Sequence, residues 1–141
     1  MKGPTNPEYK EDEKCQKDEK LLKIKFVENH NLLIIKGWSI TPELNICYQS
    51  TRERIERHLS LKEGLTIYFS YELLHSVTTR FLYETVQTLN QFHTLGKRIN
   101  IHWIINQHDD HLIQLGAELK ALCHFSFNLS LPDPTLSSLL D

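Results

Sequence analysis

Short apolar runs alternate with helical patterns along most of the chain, and this alternation restricts the possible folds more than any other feature. Leu22–Val27 alternates apolar and polar residues, Glu28–His30 and Asn31 form a polar turn, and residues 32–35 return as an apolar run, which predicts a β-hairpin. Three further strand-like runs follow, each separated from the next by a helical pattern. We predict the order β-β-α-β-α-β-α-β, an α/β fold with a mixed, mostly parallel sheet and helical cover.

Capping residues and chain breakers set the predicted bounds. Gly37 is expected to end the second strand, and Thr41, Pro42 and Glu43 provide the hydroxyl, proline and acid that start a helix. Gly96 is a C-terminal cap for the second helix. The predicted helices are 41–59, 76–95 and 109–122, and the predicted later strands are 65–69, 99–105 and 125–129.

Length and composition indicate one domain with charged or loose ends. The 141 residues are 40% hydrophobic, which is enough for one buried core. Residues 1–20 combine lysines and acids with almost no apolar side chain, so we expect a disordered tail. The domain is expected to cover residues 21–130, and residues 131–141, which contain two prolines, are expected to form a loose C-terminal tail.

Charge and motifs argue against several functional classes. With 16 Lys+Arg against 18 Asp+Glu, the chain has no overall positive field for nucleic acid. The apolar runs are far shorter than the about 20 residues of a membrane helix, and the N-terminal residues lack a secretion pattern, so we expect a cytoplasmic protein. Isolated glycines provide no phosphate-binding loop, and the common hydrolase and zinc-enzyme motifs are absent. We expect neither catalysis nor a cofactor.

The histidine cluster at the third predicted helix has two interpretations. His108 and His111 are three residues apart and flank Asp109 and Asp110. A metal site needs a third ligand that the sequence does not reveal, whereas aspartates at a helix start are common caps. We therefore prefer capping and predict no metal site.

Several other side chains are most simply interpreted as parts of the fold. Cys15, Cys47 and Cys123 are odd in number and widely spaced, so we expect free thiols. Trp38 and Trp103 are expected to pack in the core or at its rim; the alternative, which we favour less, is that an exposed Trp38 anchors an interface. The charged run at residues 52–57 of the first helix is expected to form a solvated face.

Three hydroxyl residues, Ser76, Thr78 and Thr79, meet at the start of the second predicted helix. One interpretation is that Ser76 or Thr78 caps the helix. The other is phosphorylation, because a phosphate carries a charge of about −1.5 to −2 and the helix N-terminus accommodates it, while a partner docked there is repelled. The two interpretations are compatible, since a capping hydroxyl can also accept a phosphate.

The arrangement resembles the SiaC-type regulatory phosphoproteins, a family related in fold to the STAS domains, or anti-sigma-factor antagonists. The resemblance covers residues 22–129 and implies a STAS-like single domain. Its landmarks are residues 37–43, similar to the family's Gly-x-Ser-x-Pro-Glu-Asn; the hydroxyl cluster; Gly96 and the strand ending in Trp103; and Gly116-Ala117-Glu118 before Cys123 and Phe125.

The family's switch pattern, Tyr-x-Asn-Thr-Ser-Ser-x-Lys, lies on residues 73–80. The resemblance places Ser76 at the phosphoacceptor position, with Thr78 and Thr79 as alternatives. This sequence departs from the pattern, with His75 for the asparagine, Val77 for a serine and Leu73 for the tyrosine, and one extra residue separates Ser39 from Pro42. The partner-binding residues that the resemblance implies are Trp38, Ser39, Pro42, Glu43, His75 and Arg80.

The resemblance implies a non-catalytic switch protein. A kinase phosphorylates the helix-start hydroxyl, a PP2C-like phosphatase removes the phosphate, and the unmodified form binds an effector such as a diguanylate cyclase, whose cyclic-di-GMP output controls biofilm formation. One alternative is a constitutive binding module of the same fold without a working phosphoswitch, suggested by His75 and Val77. Another is a small enzyme with His75 as base and Ser76 or Tyr71, but no acidic partner for the histidine can be named.

Overall fold

Within residues 22–39, 44–106 and 109–132, which the computed structural model describes, five strands form one sheet and three helices connect them. The strands are β1 (Leu22–Val27), β2 (Leu32–Ser39), β3 (Gly64–Leu74), β4 (Arg98–Ile104) and β5 (Ser126–Ser130). The helices are α1 (Leu44–Leu61), α2 (Ser76–Thr94) and α3 (Asp110–Leu122). β1 pairs antiparallel with β2, and all later pairs are parallel. The predicted order of elements and the mixed, mostly parallel sheet are confirmed.

The strands lie across the sheet in the order of the chain. Because right-handed connections between consecutive parallel neighbours all cross on one side, the three helices cover the same face. Alternate strand residues point toward this helical layer, and in β3 these include Ile67 and Phe69, both buried. The core therefore lies between one sheet face and the three helices.

The hairpin between β1 and β2 forms as predicted. Residues Glu28–His30 make a short 3₁₀ turn, and Asn31 closes it with φ of 52° while its N–H donates to the Glu28 carbonyl at 3.1 Å. Asparagine tolerates this left-handed conformation better than most residues. The Asn31 side chain also bonds His58 of α1 at 2.9 Å, which ties the turn to the helical layer.

β2 and β3 are longer than the sequence predicted. The prediction that Gly37 ends β2 is wrong, because the strand continues to Ser39 through a bulge. Gly37 has φ of 122°, and the register with β3 shifts between Gly37 and Trp38. Glycine adopts such a conformation without the steric cost that a side chain would add. The added residues bring Ser39 opposite Leu74, directly before α2.

The two tryptophans differ in burial. Trp103 is in the core, as predicted, and its indole N–H donates to the Leu112 carbonyl at 3.1 Å. α3 approaches it at Gly116, where a Cβ would lie 2.6 Å from Trp103 Cδ1 and 2.7 Å from Leu129 Cδ2. Trp38 is 42% exposed, so the prediction that it packs in the core or its rim is wrong.

The solvated face predicted for residues 52–57 is interrupted at Arg54. Its side chain is 5% exposed, and its guanidinium lies over the Phe26 ring, 4.8 Å from the centroid. The expectation of solvation is wrong at this residue, because the long side chain stacks on an aromatic ring of β1.

The cysteines also differ from the expectation in part. Cys123 is free, as predicted, and burial raises its pKa to about 12, so it is a thiol at neutral pH. Cys47 is disulfide-bonded, and the prediction of a free thiol there is wrong. Spacing along the chain does not reveal which cysteines approach each other in space. The predicted helix start at 41–43, the N-terminal tail and His108 lie outside the described residues.

Candidate functional site

Four buried hydroxyl groups meet where β2 and β3 end and α2 begins. Ser39 Oγ lies 2.6 Å from the hydroxyl of Tyr48 and 2.5 Å from Oγ1 of Thr78. The hydroxyl of Tyr48 lies 3.2 Å from that of Tyr71. These residues come from β2, α1, β3 and α2, and all are nearly inaccessible to solvent. We call this set the hydroxyl network; it fixes the relative position of four elements.

The hydroxyl network is uncharged at neutral pH. Burial raises the pKa of Tyr48 to about 12, although its hydrogen bonds to Ser39, Tyr71 and Thr78 act in the opposite direction. Burial also raises the pKa of Tyr71 well above its usual value of 10.0, and so do repulsion from Tyr48 once that phenol ionises and the hydrogen bond between the two groups. Neutral hydroxyls donate and accept among themselves, so the network satisfies buried polar groups without an ion. It provides no phenolate that could act as a base.

His75 connects β3 to α2 through backbone hydrogen bonds. Its N–H donates to the Ser39 carbonyl at 2.6 Å, and its carbonyl accepts from the N–H of Thr78 at 2.9 Å. Because α2 begins at Ser76, neither Ser76 nor Thr78 occupies the position before the helix where a capping side chain stands. The capping interpretation is therefore wrong, and the Thr78 side chain serves the hydroxyl network instead.

The three predicted phosphoacceptors differ in accessibility. Ser76 is exposed, Thr79 is partly buried, and Thr78 is 2% exposed with its hydroxyl bonded to Ser39. A kinase needs to bring the attacking hydroxyl to ATP, which Thr78 does not permit without local opening of the helix start. The geometry therefore favours Ser76 among the three.

A groove of about 590 Å³ lies beside Ser76, between the N-terminal halves of α1 and α2. Its lining contains one carboxylate between two guanidinium groups: Arg52 Nη1 lies 2.8 Å from Glu84 Oε1, and Arg80 Nε lies 3.0 Å from Glu84 Oε2. The groove is lined by Asn45, Tyr48, Gln49, Arg52, Ser76, Arg80, Phe81 and Glu84. Two cations against one anion leave this arrangement with an excess positive charge.

The predicted partner-binding residues that the structure describes differ in their exposure to solvent. Trp38 and Arg80 are exposed, and His75 is partly exposed. Ser39 is 1% exposed, so its side chain supports the site from beneath and does not reach a partner in this conformation. Pro42 and Glu43 lie outside the described residues.

Sequence reasoning missed several contributors to this region. Leu73 is the cross-strand partner of Trp38 and is 45% exposed, so an apolar pair faces outward at the end of the sheet. Tyr48 and the pair of Arg52 with Glu84 were also not anticipated, because these contacts join residues 9 to 32 positions apart. A local signal existed only for Arg80 and Glu84, which are four residues apart on one helix.

The cluster at the start of α3 is a helix cap in its described part. Asp109 accepts hydrogen bonds from the N–H groups of His111 at 2.9 Å and Leu112 at 3.2 Å, which confirms the capping interpretation. Over the ranges 22–39, 44–106 and 109–132, no group of three or more His, Cys, Asp or Glu side chains is arranged to hold a metal ion. None of the helices in those ranges has the length and hydropathy needed to cross a bilayer.

Solved structures share the fold of this chain. The complex of the diguanylate cyclase SiaD with its activator SiaC from Pseudomonas aeruginosa contains a chain that matches with a TM-score of 0.75 and 16% identity, over 82% of this chain and 95% of that one. A structure of SiaC from the same organism matches with a TM-score of 0.71 and 16% identity, covering 79% and 90%. Apo-SiaC gives 0.67 and 15%, covering 77% and 89%. At these identities, the likeness shows the fold alone.

Sequence comparison provides the family assignment. Comparison with curated proteins gives no significant match. The model of the SiaC family regulatory phosphoproteins matches residues 15–131, which is most of the chain and includes the hydroxyl network, Ser76 and the groove beside it. The chain therefore belongs to the SiaC family of regulatory phosphoproteins.

Proposed function

We propose that this protein is a non-catalytic interaction module whose unmodified form binds an effector and whose phosphorylation at Ser76 weakens that binding. The observation that carries the proposal is the exposure of Ser76 at the first position of α2, directly beside the groove. Kinase action transfers the γ-phosphoryl group of ATP to Ser76 Oγ, releases ADP and passes the hydroxyl proton to a base. A PP2C-like phosphatase hydrolyses the phosphoester and restores the hydroxyl.

The surroundings of Ser76 suit a modification that changes the surface and preserves the fold. The Ser76 side chain is exposed and takes no part in the hydroxyl network, so we expect an added phosphate to displace no core group. A dianion is also favourable at a helix N-terminus. The same charge repels an acidic or apolar partner surface that docks there.

The effector we propose is a diguanylate cyclase. A protein of the same fold, SiaC, is described as the activator of the diguanylate cyclase SiaD and forms a complex with it. In this chain, the exposed pair of Trp38 and Leu73 offers apolar anchors near Ser76, and large aromatic side chains commonly dominate binding energy. We assign Arg80 and His75 to the same candidate partner surface, while Pro42 and Glu43, outside the described residues, stay predicted contacts. The pathway then operates in the cytoplasm and controls cyclic-di-GMP and biofilm formation.

A second candidate function is constitutive effector binding without a phosphoswitch. His75 and Val77 stand where the SiaC-type pattern has an asparagine and a serine, and these departures favour a site that a kinase no longer recognises. The two candidates agree on the docking surface and differ only in whether Ser76 is modified and whether modification matters.

The test is effector binding by protein that carries phosphoserine at position 76, introduced during translation so that no kinase is needed. Calorimetry with the diguanylate cyclase of the same host should show binding weakened by about tenfold or more, or about 1.4 kcal/mol. Phosphoserine at position 126, an exposed residue of β5, is the matched control and should bind like unmodified protein. Equal binding by phosphoserine-76 and unmodified protein would leave the constitutive module as the function.

A further inference from the structure

Ser76, Arg80 and Glu84 form one stripe on α2, because they are spaced four residues apart. All three line the groove, and Arg52 of α1 faces them from its other wall. Arg80 therefore has Ser76 one turn before it and Glu84 one turn after it. In the unmodified protein it turns toward Glu84, with Nε 3.0 Å from Oε2.

The two arginines that share Glu84 differ in how firmly they are placed. Arg80 is 84% exposed, so its pairing with Glu84 is screened by water and easily exchanged. Arg52 is 32% exposed and approaches Glu84 at 2.8 Å from a second helix. If Arg80 leaves, Glu84 keeps a partner, and no carboxylate is stranded in the groove.

We propose that Arg80 is the internal receptor for a phosphate on Ser76: it leaves Glu84 to pair with the phosphate, while Arg52 retains Glu84. The inference rests on the proposed phosphorylation of Ser76. A phosphate dianion carries more charge than a carboxylate and presents oxygens that match the planar guanidinium fork. Residues four apart on a helix are close enough for this contact.

The exchange gives one modification two effects on the partner surface. The dianion appears at Ser76, and the exposed cation of Arg80 is withdrawn from any acidic group of the partner. The groove then changes from an excess of positive charge to an excess of negative charge. Arg80 acts here as a positioning residue for the phosphate.

The test is a ³¹P NMR titration of protein carrying encoded phosphoserine at position 76. Pairing with Arg80 favours the dianion, so the second pKa of the phosphate should be lower than in Arg80→Gln by about 0.3 or more. Arg57→Gln, which removes an exposed arginine of α1 outside the groove, is the matched control and should leave the titration unchanged. An identical pKa in the parent and Arg80→Gln proteins, or a larger change in Arg52→Gln, would overturn the assignment to Arg80.

Competition between the phosphate and Glu84 is tested by a second pair of variants. Glu84→Gln releases Arg80, so the phosphate pKa should fall below that of the parent phosphoprotein. In a background that lacks Arg80, the same change should have no such effect: the Arg80→Gln, Glu84→Gln double variant should have the same phosphate pKa as Arg80→Gln alone. A lower pKa in the double variant than in Arg80→Gln would overturn the exchange. Circular dichroism of each variant checks that α2 is intact.

The titration and the effector-binding test fail independently. The phosphate is installed without a kinase, and its pKa is measured without an effector. If phosphoserine-76 weakens effector binding but its pKa does not depend on Arg80, the proposed function stands and this inference fails. If the phosphate pKa depends on Arg80 but effector binding is unchanged, the Arg80 contact stands and the proposed switch fails.

Discussion

Trp103 and Trp38 lie in two regions of one sheet that are stabilised in different ways. Trp103 is 2% exposed, its ring centroid lies 5.7 Å from that of Phe69, and α3 passes so close that only glycine fits at position 116. Trp38 is 42% exposed and lies at the end of β2, where the region beneath it is organised by the hydroxyl network.

The region around Trp103 is expected to stabilise the fold, and the region around Trp38 is expected to bind a partner. The region around Trp103 buries apolar area at close packing, so its side chains are fitted to one another. In the region around Trp38, a few buried hydroxyl groups bond to one another, and apolar side chains face outward. Exposed apolar area is unfavourable in water unless a partner covers it. Changes in the first region should therefore affect folding, and changes at the surface of the second should affect binding.

The largest expected effect comes from exchanging the tryptophans for alanine. Trp103→Ala should lower the free energy of unfolding by about 3–5 kcal/mol, because it leaves a cavity beside Phe69 and Gly116. Trp38→Ala should change that free energy by about 0.5 kcal/mol or less and should weaken effector binding instead. Urea unfolding and calorimetry measure the two quantities. A large stability loss in Trp38→Ala would remove the distinction between the regions.

An intermediate effect is expected from pH, because burial raises the pKa of Tyr48 from 10.0 to about 12. The folded state then holds the phenolic proton more tightly than the unfolded state. The resulting stabilisation is complete below pH 10 and is lost as the pH rises through about 12, by roughly 2–3 kcal/mol in all.

Denaturant unfolding between pH 8 and pH 11.5 measures this loss. Tyr48→Phe should show a shallower decline than the parent protein over that range. Tyr68→Phe is the control, since the Tyr68 ring stacks on His102 and takes no part in the hydroxyl network. Parallel declines for the parent and Tyr48→Phe proteins would show that burial of this phenol does not govern the alkaline transition.

The smallest effect distinguishes neighbouring threonines of α2. Thr78→Val removes the hydroxyl that bonds Ser39 and should cost about 1–2 kcal/mol of stability. Thr79→Val makes the same chemical change at a partly buried residue outside the hydroxyl network, and should change stability by less than about 0.5 kcal/mol. Equal effects in thermal unfolding would mean that the hydroxyl network does not fix the start of α2.

Most of the fold could be predicted because its signals are local. The period-2 pattern of β1, the caps at Gly96 and Asp109, and the apolar runs of β3 and β4 all lie within one element. The ends of β2 and β3 were missed because they depend on pairing between strands: Gly37 stops an isolated pattern but forms a bulge when β3 lies beside it.

The site could be predicted only in part, for the same reason. The residues themselves pointed to the hydroxyl cluster, and the resemblance to the SiaC-type pattern placed the phosphoacceptor at Ser76, whose exposure agrees with the role proposed for it. The burial of Ser39 and Thr78 follows from a hydrogen bond between residues 39 positions apart, which no sequence window contains. The burial of Arg54 could not be predicted for the same reason, because it depends on contact with the Phe26 ring of β1, a strand far from Arg54 in the sequence.

The central claim, that the exposed hydroxyl of Ser76 carries the switch and the buried hydroxyl of Thr78 does not, is tested most directly by phosphopeptide mass spectrometry. Protein recovered from its own host under growing and starved conditions should carry one phosphate in a condition-dependent fraction, mapped to Ser76, and Ser76→Ala should lack it. Phosphate mapped to Thr78, or unmodified protein under both conditions, would contradict the claim.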